Sequence, residues 1–67
     1  MSNVEKVKNI TNVVRNTSDD MTFRATLGPV LQAELPFKTE VTFNGNIVNI
    51  YVEETSGNMV LISIDLS

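Results

Sequence analysis

Two turn signals in the second half of the chain constrain its fold more than any other feature. Asn44-Gly45 and Thr55-Ser56-Gly57 punctuate an alternation of apolar and polar residues that runs from Phe37 to Leu66. Asn-Gly tolerates the positive φ values of a two-residue type I′ hairpin turn. That turn would pair Phe43 with Asn46, Val41 with Val48, Thr39 with Ile50 and Phe37 with Val52. A three-residue loop with Gly57 in the left-handed position would pair Glu54 with Asn58, Val52 with Val60, Ile50 with Ile62 and Val48 with Ile64. Both turns put the apolar sets on one face, and a one-residue slip would destroy that agreement. The expectation is a three-stranded meander over about 37–44, 46–54 and 58–66. Its apolar face carries Phe37, Val41, Phe43, Val48, Ile50, Val52, Val60, Ile62, Ile64 and Leu66.

Upstream the periodicity is different. Val4, Val7, Ile10, Val13 and Val14 recur at the spacing of one helix face. Glu5 follows Ser2 by three residues, the capping-box arrangement, so a helix is expected over about 2–16. Asn16-Thr17-Ser18-Asp19-Asp20 reads as a polar connection. From Met21 the apolar residues alternate: Met21, Phe23, Ala25 and Leu27, then Leu31, Ala33 and Leu35, with Gly28-Pro29 between them and Pro36 after. Period two predicts strands over about 21–27 and 31–35. The expected fold is therefore α+β in a single domain over 1–67. An N-terminal helix would pack on a four- to five-stranded antiparallel meander, either open or closed as a small barrel.

Composition narrows the function. The chain has 67 residues, no cysteine and no histidine. Disulfides, zinc ribbons and thiol nucleophiles are excluded, and the usual general base near neutral pH is missing. Five basic against eight acidic residues give a net charge of −3, which disfavours nucleic acid as a partner because that binding begins with clustered Lys and Arg. The serines stand in no nucleophile-elbow setting and the scattered glycines form no phosphate loop. Asp19-Asp20 and Glu53-Glu54 are adjacent carboxylates at or beside expected turns, where acids are common for reasons of turn chemistry and solubility. No catalysis, cofactor, metal or small-molecule substrate is expected. Neither a signal peptide nor a membrane span is expected, and the expected location is cytoplasmic.

The distinctive feature is the other face of the meander. It would carry Ile47, Asn49, Tyr51 and Glu53 beside Met59, Leu61, Ser63 and Asp65, with Tyr51 opposite Leu61 and Lys38 on the far neighbour. Ile47, Tyr51, Met59 and Leu61 make an apolar island in a polar rim, the composition of a contact surface. The strand 59–64 has neither Pro nor Lys to protect an edge. The expected function is that of a small acidic protein-binding module, an inhibitor or accessory factor of the kind found in phages and mobile elements. The alternative is a homo-oligomeric structural component that self-associates through the last strand or the outer sheet face. A barrel-type nucleic-acid binder, with Phe23, Phe37, Phe43 or Tyr51 as its platform, ranks behind both.

Overall fold

The computed structural model describes residues 2–67. Its element order is α1 (Asn3–Thr17), α2 (Asp20–Glu34), β1 (Thr39–Asn44), β2 (Ile47–Glu53) and β3 (Met59–Asp65). The sheet is antiparallel with order β1-β2-β3, and both helices pack on one face of it. It is an open, two-layer α+β arrangement. The sheet has three strands and does not close, so the expectation of four to five strands, with its barrel alternative, is corrected.

The correction lies at residues 21–35, which form α2 rather than two strands. The same residues satisfy a helical period: Phe23, Leu27 and Leu31 recur every four positions, and all three are buried. Strand alternation would also have placed Met21 inside, yet it is 81% exposed. Asp19 starts the helix by accepting the Thr22 backbone N–H at 2.7 Å, an N-cap bond that satisfies an orphan donor of the first turn. Gly28-Pro29 does not break it. Pro29 and Ala25 are both exposed, so the Ala25 carbonyl that loses its amide partner is open to water.

α1 is a helix as expected, capped by Ser2, whose Oγ accepts the Glu5 N–H at 3.1 Å. Its inner line differs from the one the valines suggested. Asn3, Val7 and Thr11 are buried, Val4, Ile10 and Val14 flank them, and Val13 is 62% exposed. Asn3 is satisfied, since its Nδ2 donates to the Glu53 carbonyl at 2.6 Å. Thr11 Oγ1 is buried without a partner.

In the meander, the β2–β3 register is as expected: Val48 faces Ile64, Ile50 faces Ile62, and Val52 faces Val60. Gly57 takes φ +90°, and Glu54 N–H donates to the Asn58 carbonyl at 2.9 Å. The β1–β2 register is shifted by two residues. Thr39 pairs with Val52, Val41 with Ile50, and Phe43 with Val48. The turn residues are accordingly Gly45 and Asn46, and of these only Gly45 has a positive φ, +60°. That is the type II′ requirement, with glycine first, rather than type I′. A two-residue shift leaves each side chain on its expected face. It also brings Phe43 beside Val48 instead of Asn46, with its ring edge-on to Phe23 at 6.1 Å.

Val48, Ile50 and Val52 on the central strand are fully buried beneath the helices with Val7, Phe23, Leu27 and Leu31. Val60, Ile62 and Ile64 on β3 are only half-buried. The helical roof covers the middle of the sheet and thins towards both edges, since Val41 and Phe43 on β1 are half-buried too.

Candidate functional site

The face of the sheet opposite the helices has no layer over it among the described residues. The register sets its side chains in rows across the strands. Glu53 and Met59 begin the face, followed by Glu40, Tyr51 and Leu61, then Thr42, Asn49 and Ser63, and last Asn44, Ile47 and Asp65. Lys38 joins the first row through its carbonyl, which accepts the Glu53 N–H at 3.0 Å. The two-residue shift therefore gives Tyr51 the acidic Glu40 as its β1 neighbour, where Lys38 was expected.

Tyr51, Met59 and Leu61 are 42%, 50% and 49% exposed and occupy adjoining positions. Ile47 shares their face but not their island. It is half-buried, and the Thr42–Asn49–Ser63 row separates it from Tyr51. In that row Ser63 Oγ donates to Asn49 Oδ1 at 2.6 Å, a polar bridge across β2 and β3. A hollow of about 370 Å³ at this end of the sheet is lined by Met59, Phe37, Lys38, Thr39 and Glu40 together with Gln32 of α2. The island is thus a flat apolar strip with a recess at one end. Glu40 and Glu53 border it against the single positive charge of Lys38.

Three of the four paired carboxylates serve the helices, while Glu53 turns its carboxylate to the open face. Asp19 caps α2, and Asp20 accepts from Arg24 Nε at 2.9 Å. Glu54 Oε1 accepts the Val4 N–H at 2.9 Å at the start of α1, where a negative charge also complements the helix dipole. Bonds from the Thr22 backbone N–H and hydroxyl hold the Asp19 carboxyl below its ordinary pKa. The Ser67 hydroxyl and N–H do the same for Asp65. Among the described residues, no three acidic side chains converge on a point that could hold a metal ion, and no helix is long and apolar enough to cross a membrane.

A second apolar surface escaped the sequence reasoning. Ile10, Val13, Val14 and Val30 line a groove between the outer sides of α1 and α2. Its signal was hidden by the strand reading of 21–35. Once those residues are helical, Val30 lies off the Phe23–Leu27–Leu31 stripe and beside α1. Of the aromatic side chains considered for a nucleic-acid platform, Phe23 is buried, and Phe37 and Phe43 pack against the core. Tyr51 alone among them lies on the open face. Comparison with protein-family models, with curated proteins and with solved structures finds no match for this chain.

Proposed function

We propose that this chain is a small non-enzymatic protein-binding module that engages its partner with the open face of the sheet. The observation that carries the reading is the strip of Tyr51, Met59 and Leu61, each about half exposed on a face with no covering layer. One sheet face packed and one solvated is ordinary for an antiparallel sheet, but the solvated face is then expected to be polar. A Tyr and two large aliphatic side chains inside an acidic rim are the composition of an interface core. Glu40 and Glu53 on the border, with a net charge of −3, favour a partner whose contact surface is basic around an apolar centre. Inhibition of such a partner, by occupying a site that otherwise takes a polyanion, is the finer form of this proposal.

The test is the double change Tyr51→Ser and Leu61→Ser, with photo-crosslinking in cells of the producing organism from position 42, which is exposed on the same face in the row beside Tyr51. Both side chains lie away from the core, so the circular dichroism spectrum should be unchanged while crosslinked products disappear. A partner that still binds the double variant with parental affinity would remove this face from consideration.

A further inference from the structure

We infer that β3 is a self-complementary edge through which two copies of this chain join into one continuous six-stranded sheet. This goes beyond the open-face reading and does not depend on it. β3 is an edge strand. The bonds Glu54 N–H to Asn58 carbonyl and Leu66 N–H to Asn46 carbonyl show which of its residues point towards β2. They are the even-numbered ones, 58 to 66. The backbone N–H and C=O groups of Met59, Leu61, Ser63 and Asp65 consequently point outward. No Pro, Lys or bulge protects this edge.

One register fits best. A two-fold axis at Ile62 pairs Met59 with Asp65 of the second copy and Leu61 with its Ser63. All four outward residues then exchange both hydrogen bonds with their counterparts. Centring on Leu61 or Ser63 would leave one end of the strand unpaired, and a slip that faced Asp65 with its own copy would oppose like charges. On the helical side, the half-buried Val60, Ile62 and Ile64 would meet Ile64, Ile62 and Val60 of the second copy. That covers one of the two flanks of the apolar face that the helices leave thinly roofed.

The flank of α1 above this edge is complementary too. Glu5, Lys8, Asn12 and Arg15 line a hollow of about 350 Å³ beside Ile64. α1 runs in the same direction as β3, from Asn3 at Glu53 to Arg15 at the Leu66 carbonyl. The two-fold therefore sets the copies of α1 antiparallel, with Glu5 of one level with Arg15 of the other. On the open face, Leu61 and Leu61 of the second copy become diagonal neighbours about 7–8 Å apart. The two apolar strips then merge into one, running Tyr51–Leu61–Leu61–Tyr51 across the axis.

The experiment is sedimentation equilibrium of the intact chain from about 1 μM to about 1 mM, on the parent and on Ser63→Pro. The Ser63 N–H points outward, so proline there spares the β2–β3 ladder but removes donors from the dimer seam and obstructs it. The parent should double its mass with rising concentration, and Ser63→Pro should weaken association by about tenfold or more while keeping the parental circular dichroism spectrum. Because proline could also unfold the strand, a charge pair gives the second arm. Met59→Glu sets a carboxylate opposite Asp65 of the other copy and should weaken the dimer, and adding Asp65→Lys should restore it. A parent that stays monomeric throughout overturns the inference. So does a dimer indifferent to Ser63→Pro and to the charge reversal, which would place self-association elsewhere, such as the groove between the helices. Tyr51 lies on β2 and away from the β3 seam, so Tyr51→Ser alone tests the open face without touching this edge, and loss of partner binding and loss of this dimer are separable results.

Discussion

The meander and the helical pair hold their shapes for different reasons. In the meander the glycines that turn the chain sit at φ +60° and +90°, and side-chain alternation assigns each strand face between them. Conformation and burial are there set by neighbours in sequence. In α2 the local signals conflict. Gly28 and Pro29 oppose a helix, mixed β-branched and small residues support it weakly, and the segment is helical because Phe23, Leu27 and Leu31 must all reach the sheet. Glycine in one half is a requirement and in the other a handicap.

The strongest way to break this comparison is to remove the burial that defines α2. Leu27→Ala is expected to cost about 2–5 kcal/mol, against a total stability of about 3–5 kcal/mol for a domain of this size. Most of the helical circular dichroism signal should disappear at 37 °C. A variant that stayed helical would mean that local propensity, not packing, holds α2. Next in size are opposite effects of one substitution. Gly57→Ala forces a side chain into left-handed backbone and should destabilise by about 1–2 kcal/mol. Gly28→Ala should stabilise by about 0.5–1 kcal/mol, because an added Cβ would lie 3.9 Å from Val41 Cβ, ordinary contact distance. Thermal melts of the two variants decide it, since one sign for both would erase the distinction. Thr11→Val should stabilise by about 1 kcal/mol by removing a buried hydroxyl that has no partner.

The smallest effect concerns pH. Asp19 has a folded pKa below its unfolded one, because its carboxylate accepts bonds from Thr22. Its contribution is thus fully present above the unfolded value and is lost as pH falls from about 3.9 through the folded value. Asp65 acts with the same sign. Asp19→Asn, which keeps the cap but not the charge, should flatten the decline of melting temperature below that pH. An acid limb identical in variant and parent would sever the link to this carboxylate.

The same division explains what the sequence made legible. The apolar face from Phe37 to Leu66, the β2–β3 register and the adjoining positions of Tyr51, Met59 and Leu61 followed from alternation and from Gly57. The β1–β2 register was displaced by two because Asn44-Gly45 and Gly45-Asn46 both allow a hairpin turn, and both keep each side chain on its face. What separates them is Phe43, which must meet Phe23 from a helix that the alternation concealed. Residues 21–35 were misread because Met21-x-Phe23-x-Ala25-x-Leu27 satisfies period two while Phe23, Leu27 and Leu31 satisfy period four. The capping capacity of Asp19 was the local cue for the second. Ile47 was grouped with Tyr51 because alternation assigns a face, whereas the polar row between them depends on how far apart they lie along it.

The bonds that fasten α1 to the sheet also bear on the order of assembly. Asn3 to Glu53, Val4 to Glu54 and Arg15 to Leu66 join residues 50 or 51 positions apart, whereas both hairpins close within a few residues. Loop-closure entropy favours contacts near in sequence at the barrier. The first helix should then dock after the meander has formed. Asn3→Ala and Arg15→Ala would chiefly quicken unfolding and leave the refolding rate nearly unchanged. α1 thus acts as a late clasp, setting how long the native state lasts rather than how fast it is reached.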